Sequence, residues 1–511
     1  MTELLPDQLR LMAAAYPDEV AYRNLGDGSS ITFARWERES NRLARGLRDR
    51  GVDRGDLVAI YLESHGILEW IVAYSAVHKL GATAVPMNNR LSAPEARAIL
   101  EHAEVTAMVV SRAYAGIVAP LLHSLPSLRV AVSVGPGVGA TDVEGFIDLE
   151  DVKSADADTV QAPVDGSDLA DVMYTSGTTG RPKGVAVRYD QVALLPTGRP
   201  DWRGTGWFTA SPVFTFAGLG FIYNPMKAGM TVLYLPAFDA GRWLEIVEGE
   251  RPVIAFIVPA MAQLIIHHDR FESSDLSSLG RIILGSAPLA PDTLMRLQAK
   301  APGAAVLNSY GMTEGGHATF TMDPEGSRTR PGAVGKPRKP VEVRIVDDAG
   351  ASLPAGGVGE VVTRNPDGHR QYYKDPEATA RMWEGGWLHT GDLGYLDADG
   401  YLFIVGRKKE MIVRGGMNVY TDDVEAVLHE HPSVVEAAVV GIPHDVLGED
   451  IAAFVVLRAG RTLAVDELQT FAGERLADYK VPRHVEFLAA LPRNAGGKVV
   501  RSELVPKAKR R

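Results

Sequence analysis

The 511-residue sequence predicts an α/β protein: a large multi-subdomain N-terminal domain of α/β sheets plus a β-rich subdomain, then a small α+β C-terminal domain. Three changes of texture carry this expectation. From Asp56 the chain alternates β-like apolar runs with runs of helical period, the pattern of right-handed βαβ units. After about Pro331 it turns to short strand-like pieces with close turn signals, as in VEVRIVDDAGASLPAGGVGEVVTRNPD. From about Lys408 a second α/β pattern begins, about 100 residues long, the size of one small domain.

Taken in order, DLVAIYL reads as a strand, ILEWIVAYSAVHKL as a helix, ATAVPM as a strand, APEARAILEHA as a helix and VTAMVVS as a strand. Further strands are expected at 130–134, 170–174, 231–235, 253–258 and 281–284, in a mostly parallel sheet. In the C-terminal part the spacing predicts a helix over TDDVEAVLHEHP, strands over EAAVVGI and DIAAFVVL, a helix over VDELQTFAGERLA and a strand over HVEFLA. The expected domains are 1–406, with the β-rich subdomain at about 331–406, and 407–511, with a hinge between Arg407 and Lys409.

Composition narrows the function classes. Apolar residues make up 46% and charged residues 23%, as in a folded globular enzyme. The formal charge of −11 argues against nucleic acid as a partner. No cysteine is present, which removes disulfides, thiolate metal sites and any enzyme thiol nucleophile, so thiol chemistry has to come from a substrate. The first twenty residues lack a basic start followed by an apolar run, so a cytoplasmic location is expected. The apolar stretches 67–87 and 253–266 are interrupted by Glu69, His78 and Lys79 and by Pro259 and Gln263; both are read as buried core, with no transmembrane segment. The terminal PKAKRR is read as a solvated tail.

Four segments carry chemistry. YTSGTTGRPKG at 174–184 combines three glycines, four Ser/Thr hydroxyls and Lys183 after a strand-like run, a loop suited to a polyphosphate. It is not the P-loop of nucleotide triphosphatases, because glycine rather than a magnesium-binding hydroxyl follows Lys183. SVGPGVGA at 133–140 has the wrong spacing for a dinucleotide loop and is read as plain surface. In NSYGMTEGG, Tyr310 could stack on a base, Thr313 donate to a phosphate and Glu314 hold magnesium as a hard oxygen ligand. GGWLHTGD and GRKKEMIVRGGMN place Arg407 fifteen residues after Asp392, a carboxylate and a cation that could share one sugar. In LPRNAGGKVVRSEL, Lys498 follows two glycines on an exposed turn from which a long cation can reach a neighbouring domain.

Together, in this order, the four segments resemble the adenylate-forming acyl-CoA synthetases, a superfamily that also holds firefly luciferase and peptide-synthetase adenylation domains. The resemblance spans essentially the whole chain. It implies a small C-terminal domain that is mobile about Lys409, rotating between two half-reactions. It further implies ATP, Mg2+ and coenzyme A as co-substrates and cofactors. Thr175, Ser176, Thr178, Thr179 and Lys183 would line the pyrophosphate side, with Gly177 among the ATP/AMP-binding residues, and Thr313 and Glu314 would serve the α-phosphate and magnesium. Ser286, Ala287 and Tyr310 would border the nucleotide base, with Gly311 among the ATP/AMP-binding residues, and Asp392 and Arg407 would hold the ribose. Lys498 would be the catalytic lysine of adenylation, while Arg414, Gly415 and Gly416 would meet coenzyme A after the rotation.

The sequence departs from its relatives in ways that bear on the acid. SPVFTFAG has no acidic residue, where amino-acid-activating domains place an aspartate for the ammonium group, so an acid without an α-amine is expected. Thr215 follows Phe214 where many relatives have histidine or a larger ring; this enlarges the neighbouring space unless Phe216 fills it. The expected acyl pocket is Phe214, Thr215, Phe216, Gly220, Met261, Gly285 and Met312, mostly apolar and without an evident cation for a second carboxylate. Thr421 stands where proline is common.

The sequence therefore reads as an ATP-dependent acyl-CoA synthetase for a hydrophobic carboxylic acid, medium- or long-chain fatty or bulky and cyclic or steroid-like, with a homodimer left open. An acyl-AMP ligase donating to a carrier protein, a luciferase-like oxidoreductase and a non-catalytic binder are the competing readings.

Overall fold

A computed structural model describes residues 5–135, 145–175, 183–192, 195, 198–287, 289–316, 320–365, 369–494 and 498–505. The loop at 136–140, Ser176, Gly177, Thr178 and Thr179, Gly496 and Gly497, and the basic tail fall outside the described residues. By its contacts the chain divides into two units, Met1–Phe238 with Asp367–Ala380, and Asp239–Pro366 with Arg381–Arg511.

In the first unit the expected βαβ alternation is present: strands Leu57–Tyr61, Thr83–Pro86, Ala107–Ser111 and Val130–Val134 alternate with helices Ile67–Lys79 and Ala93–Ala103. They pair in parallel, with Leu57–Tyr61 between Thr83–Pro86 and Ala107–Ser111. Thr83–Pro86 continues the sheet to Leu169–Thr175, beyond which Lys183–Arg188 and Gln371–Tyr372 add antiparallel strands. The helix Ala93–Ala103 starts where a capping box allows it: Ser92 and Glu95 pair around the first turn, with proline inside it.

Helix Ile67–Lys79 is apolar on nearly every face and buried almost throughout, as an all-round hydrophobic helix must be. Its polar residues have partners inside the core. The buried Lys79 ammonium pairs with Glu37 at 2.7 Å and donates to Asn41 Oδ1 at 2.6 Å; burial still pulls its pKa down to about 8. His78 Nε2 lies 3.3 Å from the buried Asp171 carboxylate, to which Tyr74 donates at 3.1 Å.

The first 55 residues, to which no elements were assigned above, form helices Leu5–Ala15 and Phe33–Arg48 and strands Val20–Asn24 and Ser30–Thr32. Val20–Asn24 pairs in parallel with Met230–Tyr234, which pairs in parallel with Thr205–Thr209. The core between these layers is rich in aromatic rings, including Trp36, Trp70, Tyr74 and Tyr223.

The second unit begins with parallel strands Ile254–Ile257, Arg281–Gly285 and Ala305–Ser309, accompanied by helices Ala240–Glu250, Pro259–Ile266 and Pro291–Lys300. The β-rich texture after Pro331 becomes an antiparallel sheet of Glu342–Val346, Gly359–Arg364, Trp387–Leu396 and Leu402–Arg407, with Trp383–Glu384 at its edge. The C-terminal segment builds a five-stranded sheet from Met417–Val419, Ile412–Arg414, Gly448–Leu457, Val434–His444 and His484–Phe487. Helices Thr421–His429 and Val465–Gly473 accompany it over cores of its own. Thr421 is buried as the first residue of its helix. That is the position where proline is favoured, because no intrahelical partner waits for its N–H.

Candidate active site

The site grows from the carboxyl ends of two parallel strands. Arg281–Gly285 and Ala305–Ser309 run side by side with Gly285 opposite Ser309, so Ser286 and Ala287 leave the sheet beside the segment from Tyr310 to Glu314. Ligands of open α/β sheets bind at this end of the strands. The two chains approach closely: a Cβ on Gly285 would sit 3.1 Å from the Ser309 carbonyl oxygen. Ser286 takes a left-handed backbone, φ +74°, a conformation a non-glycine residue adopts at a cost and one that clusters at functional sites.

The antiparallel sheet supplies the next pair. Trp387–Leu396 and Leu402–Arg407 form a hairpin whose register places Asp392 opposite Arg407, with a one-residue irregularity after Leu393. The fifteen-residue spacing thus becomes direct contact: Arg407 Nε is 2.8 Å from Asp392 Oδ1, and the Tyr310 hydroxyl donates to Asp392 Oδ2 at 2.6 Å. Asp392 is 4% exposed while the Arg407 side chain is 43% exposed, so a buried carboxylate is presented beside an accessible cation. Burial raises the Asp392 pKa above the usual carboxylate range, outweighing Arg407 and Tyr310, which both favour the charged form. The Tyr310 hydroxyl is pushed far up by its own burial and by the Asp392 charge.

Lys498 joins this cluster from the C-terminal end. Its residue remains solvent-accessible, yet protein atoms crowd the ammonium. That crowding and the Arg407 cation lower its pKa, against the opposing pull of Asp392, Glu314 and Glu410. Asn494 N–H donates to the Lys498 carbonyl at 2.8 Å, and Lys498 N–H donates to Asn494 Oδ1 at 2.9 Å. The structure therefore brings Tyr310, Glu314, Asp392, Arg407 and Lys498 into one electrostatic neighbourhood. Lys409, two residues beyond Arg407, is exposed, and desolvation of its ammonium is the main cause that lowers its pKa. Gly311, Met312 and Thr313 lie on the segment between Tyr310 and Glu314.

In the first unit, Thr175 pairs directly with Lys183, the two described residues on either side of the glycine- and hydroxyl-rich segment, in antiparallel strands. The sequence reading identified the strand before this loop and missed the one after it, Lys183–Arg188, although GVAVR alternates. The Lys183 ammonium lies 4.9 Å from the centre of the Tyr372 ring, a cation–π contact.

The acyl-pocket candidates fall on both units. Phe214, Thr215, Phe216 and Gly220 surround the start of helix Phe216–Lys227; Met261 is on helix Pro259–Ile266, and Gly285 and Met312 are on the strand ends just described. Thr215 caps its helix, accepting from Gly218 N–H at 3.0 Å while its hydroxyl donates to the Pro212 carbonyl at 2.8 Å. A threonine at this position thus has a local structural reason. Beside Phe216 the structure places a cation that the sequence reading did not count, Arg370. It is almost fully buried, with its guanidinium 4.4 Å over the Phe216 ring, and it donates to the Gln191 carbonyl at 2.7 Å. Only long-range packing brings Arg370 there, and no local pattern in HRQYY marks it.

Of the residues expected at coenzyme A, Gly415 and Gly416 both have positive φ and form the two-residue turn joining Ile412–Arg414 to Met417–Val419. Arg414 is paired with Asp450 at 2.7 Å. Among the described residues no helix is long and apolar enough to cross a membrane.

Comparison with known proteins places this geometry in a family. The AMP-binding enzyme family matches residues 9–373, and the AMP-binding enzyme C-terminal domain matches 423–498. A feruloyl-CoA synthase of Amycolatopsis sp is 35% identical over 490 residues, covering 93% of this chain and 94% of that protein. A 3-[(3aS,4S,7aS)-7a-methyl-1,5-dioxo-octahydro-1H-inden-4-yl]propanoyl:CoA ligase of Rhodococcus jostii is 35% identical, covering 98% of each chain. The crystal structure of an anthranilate CoA ligase in complex with anthranoyl-AMP superposes with a TM-score of 0.87 at 27% identity, covering 99% of this chain and 97% of that one. With its large N-terminal and small C-terminal domain, the chain belongs to the AMP-binding, adenylate-forming enzymes and is an acid–thiol ligase.

Proposed function

We propose that the protein converts a hydrophobic carboxylic acid, fatty or bulky and cyclic, to its coenzyme A thioester through an acyl-AMP intermediate. The carrying observation is the cluster of Tyr310, Asp392 and Arg407, with Lys498 and Glu314 as charged neighbours. Asp392 accepts from the ribose hydroxyls of ATP, Arg407 donates to the same sugar, and Tyr310 holds the carboxylate while its ring borders the base. Ser286, Ala287 and Gly311 complete the border of the base.

In the first half-reaction a substrate carboxylate oxygen attacks the α-phosphorus of ATP and the bond to pyrophosphate breaks. Both reactants are anions, so the step depends on cations placed where charge develops. Lys498 supplies one beside the α-phosphate, Thr313 donates to that phosphate, and Thr175 and Lys183 with the loop between them receive the departing pyrophosphate. Glu314 would hold magnesium as a hard oxygen ligand, and the ion would supply positive charge against the phosphates.

In the second half-reaction the thiol sulfur of coenzyme A attacks the acyl carbonyl, AMP leaves, and the thiol proton passes to solvent. The enzyme has no thiol to compete. Residues 407–511 turn about Lys409, withdrawing Lys498 and bringing Arg414, Gly415 and Gly416 to the thiol's path, so that one site serves both steps. The apolar character of Phe214, Phe216, Met261 and Met312 supports a hydrophobic acid. So do the acids of the feruloyl-CoA synthase and the indenylpropanoyl:CoA ligase to which the chain is similar, which are ring-bearing.

The test is AMP release by the purified protein with and without coenzyme A across short, long-chain, aryl and polycyclic acids, with thioester detected by mass. Coenzyme A-dependent thioester on a hydrophobic acid is expected. Higher efficiency on acetate or malonate than on any hydrophobic acid would refute the assignment, and adenylate without thioester would make the protein a carrier-directed ligase.

A further inference from the structure

The turn that carries Lys498 is followed at once by a charged cluster that the proposed chemistry does not use. Arg501, on the short helical turn Arg501–Glu503, lies between three carboxylates: Glu410 at 2.9 Å, Glu425 at 2.7 Å and Asp422 at 3.8 Å. Glu410 directly follows Lys409, and Asp422 and Glu425 stand on the first turns of helix Thr421–His429. Glu425 Oε1 also accepts from Val439 N–H at 2.7 Å, which fastens the helix to strand Val434–His444. One guanidinium thus links the segment entering the C-terminal domain, its first helix and the residue three places after Lys498.

The four side chains are largely withdrawn from solvent, 12–23% exposed. Among these acids Arg501 holds its proton even more firmly than usual, and Asp422, crowded by burial and by the Glu425 charge, is pushed up to about 7. A buried guanidinium shared by several carboxylates is geometrically specific, because its planar fork fixes direction as well as charge. Upstream, Lys498 is held by the paired Asn494 contacts. Downstream, the ion pairs of Arg501 and the buried Leu504, packed with Ala438, Val440 and Phe454, tie it to the body of the domain.

We propose that Arg501 is a positioning residue for adenylation: by binding Glu410 and Glu425 it fixes the turn that presents Lys498 to the α-phosphate. The inference rests on the proposed role of Lys498. Arg501 touches no substrate, and its effect passes through the place of another side chain, where an error of about 1 Å costs on the order of 100-fold in rate.

The experiment measures both half-reactions for Arg501→Met, Arg501→Lys and Glu410→Gln: acid-dependent pyrophosphate release, and thioester formation from supplied acyl-AMP and coenzyme A. Arg501→Met should lower the maximal rate of the first by roughly 10- to 100-fold with the KM for ATP little changed, and leave the second within about threefold. Arg501→Lys should recover part of the loss, and Glu410→Gln, which keeps size and removes one charge, should reproduce it in milder form. Equal loss in both half-reactions, or an unaltered first half-reaction in both Arg501→Met and Glu410→Gln, would overturn the proposal. Lys498→Ala is measured alongside: if it adenylates normally, the reading of the site itself has failed, whatever the Arg501 variants do.

Discussion

Replacing Tyr310 by phenylalanine removes one hydroxyl and keeps the ring, which isolates the 2.6 Å bond to Asp392 Oδ2. The acceptor is a carboxylate that burial already disfavours in its charged form, with Arg407 as its ion-pair partner on the other oxygen. A hydrogen bond to a charged group contributes about 1.5–3 kcal/mol. Arg407 stays in place and limits the damage, so the lower end applies, roughly a tenfold change. The loss concerns the sugar, which is bound before and during the reaction alike. The KM for ATP should therefore rise about tenfold with the maximal rate within about twofold. Tyr310 stabilises the ionised form of Asp392, so its removal moves the Asp392 pKa further up, and the acid limb of the ATP KM profile shifts to higher pH. The assay is acid-dependent pyrophosphate release at saturating acid from pH 5 to pH 8. An unchanged KM, or a fall in maximal rate alone, would refute the placement of ribose on Asp392.

Three further outcomes are expected. Lys498→Ala should abolish adenylate formation and leave thioester formation from supplied acyl-AMP nearly intact, read as the two half-reactions separately. Thr215→Val keeps the shape and loses the cap and should cost about 1 kcal/mol in urea unfolding; a change in acid preference with no loss of stability would instead make Thr215 a pocket residue. Asp422, whose pKa is raised to about 7 in the folded state, contributes stability that is full below about pH 4 and is lost as pH rises through 7. Asp422→Asn should therefore gain melting temperature over the parent progressively from pH 5 to pH 7.5, and a constant difference would contradict the raised value.

The sequence was most legible where chemistry is local. The βαβ alternation from Asp56 and the C-terminal helices and strands lie close to where their apolar periods place them. Asp392 and Arg407 were read as two groups that could share one sugar, while the hairpin register that sets them opposite each other was not read from the sequence. What escaped was decided by distant partners. Arg370 is indistinguishable in sequence from a surface arginine until it is buried against Phe216. Arg501 gains its meaning from Glu410 and Glu425, ninety-one and seventy-six positions earlier in the chain. Lys79 looked like an interruption of an apolar helix, and Glu37 and Asn41 make its burial tolerable. The N-terminal strands were missed because Val20–Asn24 and Ser30–Thr32 are short and their register is set by Met230–Tyr234, two hundred residues away.

The central claim, a thioester made through a bound adenylate, is tested most directly by mixing enzyme with ATP, magnesium and a hydrophobic acid in the absence of coenzyme A, quenching for mass analysis, and then chasing with coenzyme A. The account predicts acyl-AMP in amounts up to that of the enzyme, converted on the chase to acyl-CoA and free AMP. Acyl phosphate with ADP, or thioester that forms without AMP, would contradict it.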